Sequence, residues 1–131
     1  MIALAAGTYA YVASVAGKQS GKTSVIVTRN RDGSTTITED GAGSFQGMDG
    51  TAKATLSLGA DSSPTAYTSH VNVAGTALDY GVTFSGATAT VNGGLGGGST
   101  FTLAAGEHFA IVDGGLLSGF VALPMQVAAW P

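Results

Sequence analysis

The chain has 131 residues, 44% of them hydrophobic and only 10% charged, with 21 glycines, no cysteine and a net charge of −3. This length supports one domain with a single core, and the apolar content argues against disorder. Without cysteine there is neither a disulfide staple nor a thiolate metal site, no apolar run reaches the roughly 18 residues of a membrane helix, and the acidic balance argues against nucleic-acid binding.

Charge is uneven along the chain. All five basic residues (Lys18, Lys22, Arg29, Arg31 and Lys53) lie in the first 53 positions, where four acids leave a local +1, while residues 54–131 carry four acids and no base. Such sparse charges read as those that keep an exposed hairpin soluble.

Met1–Ala6 is too short for a signal peptide and lacks a basic start; it fits the remnant of a trimmed export signal. Gly7–Ala16 predicts a first strand with Tyr9 and Tyr11 on one face. Gly17–Gly21 predicts a turn, and Lys22–Asn30 a second strand built on Val25, Ile26 and Val27. Asp32-Gly33 signals a tight hairpin turn, because both residues tolerate positive φ. Ser34–Glu39 returns as a third strand, and Asp40–Gly50 reads as glycine-rich and irregular.

Thr51–Leu58 alternates, with Ala52, Ala54, Leu56 and Leu58 on one face, and Ala66–Ala74 follows after a turn. The clearest stretch is Ala77–Asn92. Leu78, Tyr80, Val82 and Phe84 recur at every second position, Ser85-Gly86 breaks the run, and Ala87, Ala89 and Val91 alternate with Thr88, Thr90 and Asn92. A period of two puts the large apolar groups on one face and the small or polar ones on the other, which describes a β-hairpin. Asn92–Ser99 predicts a flexible glycine loop. Thr100–Leu103 and Glu107–Val112 predict two further short strands.

Gly114–Trp130 is almost free of charge and does not alternate. Leu116, Leu117, Phe120, Val121 and Leu123 predict a buried helix, which Pro124 should end, kink or restart. The fold expected is mainly β: a strongly curved antiparallel meander, an open half-barrel of eight or nine strands, with the C-terminal helical segment packed on its apolar face.

Chemistry-bearing motifs are few. Ala16–Thr23 (Ala-Gly-Lys-Gln-Ser-Gly-Lys-Thr) matches a relaxed phosphate-loop pattern, and Phe109–Asp113 resembles the acidic strand that accompanies one. A phosphate loop needs a helix N-terminus behind it, whereas Thr23–Thr28 is a β-branched run that favours strand. His70 and His108 lack further ligands at metal-site spacing, and Glu107 and His108 point to opposite faces if they lie on a strand. Asp49, Asp61 and Asp79 could pair as glycosidase carboxylates do, but nothing fixes their separation and two of them fall in turns. No nucleophile elbow is present. No enzyme, metal or cofactor is expected.

Core packing explains most of the aromatic residues. The functional alternative is a cavity under the curved sheet, lined by Leu56, Leu58, Leu78, Tyr80, Val82 and Phe84. Small side chains on a concave face favour incomplete filling.

Gly7-Thr-Tyr9, the Gly17–Gly21 turn, Asp32-Gly33-Ser34, and Phe109–Asp113 leading to an apolar segment from Leu116 together resemble bacterial envelope domains of the lipoprotein-carrier-like superfamily. These include uncharacterised periplasmic members and modules that precede secreted hydrolases. The resemblance implies a curved antiparallel sheet closed by helix, a periplasmic or extracellular setting, and binding of an apolar or lipid-like ligand. The expected function is therefore a non-catalytic exported β-domain that binds such a ligand, or a partner protein, on its sheet. Its alternatives are a self-associating structural or filament-type subunit and an accessory module of a secreted hydrolase. Low charge and positive hydropathy carry the self-association reading.

Overall fold

The computed structural model describes residues 5–93, 98–113 and 116–131, the Phe45 side chain apart. Most of the expected export remnant (Met1–Leu4), the middle of the expected glycine loop (Gly94–Gly97), and the start of the helical segment (Gly114–Gly115) lie outside the described residues.

The described residues form strands β1 (Gly7–Val15), β2 (Lys18–Arg29), β3 (Thr35–Phe45), β4 (Met48–Leu58), β5 (Pro64–Val73), β6 (Thr76–Ser85), β7 (Thr88–Gly93) and β8 (Ser99–Thr102), then helix α1 (Ser118–Ala129). The strands make one 8-stranded sheet in sequence order, and every neighbouring pair is antiparallel. The sheet does not close into a barrel.

Turn chemistry sets this order. At one end of the sheet, Ala16-Gly17, Gln46-Gly47 and Ala74-Gly75 link consecutive strands, and each pair has positive φ at both residues (50 and 77°, 51 and 76°, 50 and 83°). Those angles belong to the type I′ turn, whose twist matches that of the strands it joins. At the other end β2–β3 and β4–β5 are joined by longer loops and β6–β7 by Gly86-Ala87. Asn30 N–H donates to Ser34 O, Gly33 N–H donates to Asn30 O, and Gly33 has φ 85° while Asp32 stays out of the left-handed region. The expected Asp-Gly turn is thus a three-residue loop, in which Asp32 Oδ1 accepts from Ser34 N–H at 2.9 Å and Ser34 Oγ at 2.6 Å. Asp61 binds Ser63 in the same way.

Two expectations change, and the alternatives for Pro124 narrow. The glycine-rich Asp40–Gly50 is strand, because Gly43 pairs with Gly21 on one side and Gly50 on the other. A Cβ at Gly21 would lie 2.8 Å from Ala42 O, and one at Gly43 3.0 Å from Ser20 O. Only glycine permits the strands to approach this closely, so these residues shape the ladder and do not break it. The expected ninth strand, Glu107–Val112, is not a strand. The chain leaves β8 through Leu103 N–H to Ala87 O, turns with Glu107 N–H to Ala104 O, and then crosses the apolar face as irregular backbone. Pro124 does not end α1, which runs through it. Its missing N–H frees the carbonyl of Phe120, and both residues are exposed to water.

Two cross-strand rows build the covered face: Val25, Glu39, Ala54 and Ser69, and beside them Val27, Ile37, Leu56 and Tyr67. With Leu58 from β4 and Leu116, Ala122 and Met125 from above, the apolar members form the core. Complete burial of a Leu, Ile or Val side chain contributes about 1.5–3 kcal/mol each. The opposite face is polar. Thr38, Thr55 and Thr68 form one row, and Asp40, Lys53, His70 and Asp79 another. In the second row Lys53 sits 3.6 Å from Asp40 and His70 pairs with Asp79.

Candidate functional site

The sheet's apolar face extends across all the strands, but its roof is narrower. Residues 103–113 and α1 supply that roof, and two buried or half-buried carboxylates fix it in place. Glu39, 4% exposed, points up from β3 and its Oε2 accepts from the backbone N–H of Leu117 at 2.8 Å and of Ser118 at 2.9 Å. No side chain of α1 caps its own N-terminus, so a sheet residue does so, with the favourable sign for the helix dipole. Asp113 is held by β5: its Oδ2 accepts from Tyr67 Oη at 2.7 Å and Ser69 Oγ at 3.1 Å. Burial pushes the Tyr67 phenol above its usual range, and the hydrogen bond to Asp113 pushes it further. The irregular stretch is also tied to the helix, through Gln126 Nε2 to Phe109 O at 3.4 Å and a His108–Trp130 ring stack at 5.4 Å.

This roof leaves two hollows. One, of about 510 Å³, lies between the second half of the sheet and the stretch Phe109–Asp113. Tyr67, Tyr80, Val82, Phe84, Val91 and Phe101 supply its floor and walls, and the Phe84 and Phe109 rings meet across it at 5.4 Å. Asp113 and the Tyr67 hydroxyl give it one polar end. The other hollow, of about 610 Å³, is a trough over the glycines of β2–β4, edged by Tyr11, Met48, Val71, Val73 and Leu117.

The sequence-derived cavity residues divide between core and hollow. Tyr80, Val82 and Phe84 line the roofed chamber. Leu56 and Leu58 do not: at 0% and 1% exposed they belong to the sealed core, because α1 sits directly over β3 and β4. Leu78 is half-buried on β6 and lines neither hollow. Sequence reasoning missed Tyr67, Asp113 and Phe109 as chamber residues. Asp113 carried the one available signal, a carboxylate closing an uncharged apolar run.

Lys18–Arg29 is strand, so the amides of Gly21 and Lys22 lie in the sheet and not at a helix N-terminus. Among the described residues no three His, Asp or Glu side chains come close enough to hold a metal ion. No helix there is long and apolar enough to cross a membrane. No protein-family model, curated protein or solved structure matches the chain.

Proposed function

We propose that the protein is a non-catalytic β-domain that holds an apolar, lipid-like molecule in the chamber between β5–β8 and Phe109–Asp113. The observation that carries this reading is the chamber itself: about 510 Å³ of space lined almost wholly by aromatic and aliphatic side chains, with a Tyr67–Asp113 pair at one end. Ligand pockets commonly combine such a volume and an apolar lining with a few fixed polar groups. A lipid-like ligand is also what the resemblance to lipoprotein-carrier-like domains implies. The carboxylates near the chamber already serve structure, Glu39 capping α1 and Asp113 tying the roof to β5, which favours binding over acid–base chemistry.

The test is a fluorescence titration with an anilinonaphthalene probe, on the parent protein and on Val91→Trp, which adds bulk to the chamber wall. Saturable enhancement that Val91→Trp reduces about tenfold or more in affinity supports the chamber. Enhancement unchanged by Val91→Trp places the probe elsewhere and refutes it.

A further inference from the structure

The two edges of the sheet are built differently. β8 has 4 residues, and the chain leaving it bonds back to Ala87. β1 has 9 residues, Gly-Thr-Tyr-Ala-Tyr-Val-Ala-Ser-Val, with no charge and no proline. Among the described residues its only sheet neighbour is β2. Alternate N–H and C=O groups of β1 therefore face outward along the edge, and what satisfies such a row is another extended backbone. Edge strands that stay single are usually short, charged or broken by proline or a bulge. β1 has none of these guards. Its one register shift falls between Ala13 and Ser14, where Ser20 of β2 is the extra residue, so β1 itself runs regularly. Tyr11, Val12 and Val15 are 37, 62 and 50% exposed on it.

The sequence of β1 is complementary to itself when reversed. About Tyr11, Ala10 lies opposite Val12, Tyr9 opposite Ala13, and Thr8 opposite Ser14. Off the axis each larger side chain meets a small one and the Thr8 hydroxyl meets that of Ser14, while on the axis Tyr11 meets its own copy. We propose that β1 is a pairing edge, through which two copies of the chain join antiparallel about Tyr11 into one continuous sheet. A two-fold interface of this kind uses the same residues on both sides and closes after two copies. No charged side chain lies on either β1, so the pairing opposes no like charges. It would also bring the second copy's Tyr11 and Tyr9 beside Tyr11 and Ala13, which line the glycine trough from β1.

Cysteine cross-linking tests this, since the chain has no cysteine of its own. Residues directly opposite in an antiparallel pair have Cβ atoms about 4.5–5.5 Å apart, so Tyr11→Cys should give a disulfide-linked dimer under mild oxidation. Ile26→Cys on the outer sheet face and Phe120→Cys on the outer helix face, 43 and 53% exposed in the parent, should remain monomeric. Sedimentation of the parent should show a concentration-dependent dimer. Val12→Lys should weaken it at least about tenfold with unchanged circular dichroism and, at concentrations where the parent is monomeric, unchanged melting. A parent that is monomeric at all concentrations overturns the proposal. So does preferential cross-linking through Phe120→Cys, or a Val12→Lys dimer as tight as the parent's. None of these readouts depends on the chamber, so either proposal can fail alone.

Discussion

Glu39 and Ser118 are 79 positions apart in the chain, yet the carboxylate of one accepts the backbone N–H of the other at 2.9 Å in the middle of the molecule. This contact and its partner at Leu117 decide where α1 begins and which strand it sits on. Truncation by Glu39→Ala leaves one buried and one half-buried donor without this acceptor and should cost about 2–4 kcal/mol. Glu39→Gln keeps one acceptor but loses the charge facing the helix N-terminus, and should cost about 1 kcal/mol. Urea melts of the three proteins give the ordering; equal stabilities would mean that α1 docks without this cap.

Two-sided strands make a second prediction. Val82 is half-buried in the chamber wall, and its neighbour Thr83 is exposed on the opposite face. Val82→Asp places a carboxylate among apolar groups and should destabilise by about 2–4 kcal/mol. Thr83→Asp should stay within about 0.5 kcal/mol. Thermal unfolding compares them, and equal losses would contradict the assignment of faces.

The Tyr67 phenol, raised in the folded state by burial and by Asp113, gives a third. Because the folded form keeps its proton to higher pH than the unfolded chain does, its contribution to stability is complete below pH about 10 and is lost as pH rises beyond that. Tyr67→Phe should therefore flatten the alkaline loss of stability relative to the parent. Measured between pH 8 and 11, identical slopes for the two would show that Tyr67 does not ionise differently on unfolding.

Gln126 supplies a fourth. It is fully buried, and its Oε1 has no hydrogen-bond partner among the described residues. Gln126→Met keeps the shape and removes the orphaned oxygen at the expense of a long bond to Phe109 O, so stability should range from unchanged to about 1 kcal/mol higher. Gln126→Glu should lose about 3 kcal/mol by burying an unpaired charge. Chemical denaturation distinguishes these, and a large loss in Gln126→Met would mark the Phe109 bond as the stronger term.

The sheet was legible in the sequence because its signals are local. The alternation of Leu78 to Phe84 and the Gly-containing breaks at Gly17, Gly33 and Gly86 locate strands and turns without knowledge of neighbours. Gly41, Gly43 and Gly50 misled for the opposite reason: their meaning lies in the strand across from them, where a Cβ would press on the Thr23 side chain at Gly41 and on backbone at Gly43 and Gly50. Glu107–Val112 looked like a strand because a roof over an apolar face needs the same apolar side chains as the face itself. Three of the chamber's lining residues, Tyr80, Val82 and Phe84, followed from periodicity. Leu56 and Leu58 carried the same pattern but fall under α1, and no local signal says where along a sheet a helix will rest.

The account's central claim is that the chamber holds an apolar molecule, and native mass spectrometry of the purified protein tests it most directly. The predicted result is a population heavier than the 12.8 kDa chain by one small molecule that extracts into organic solvent, with the excess diminished in Val91→Trp. A bare chain mass before and after incubation with long-chain fatty acid would contradict it.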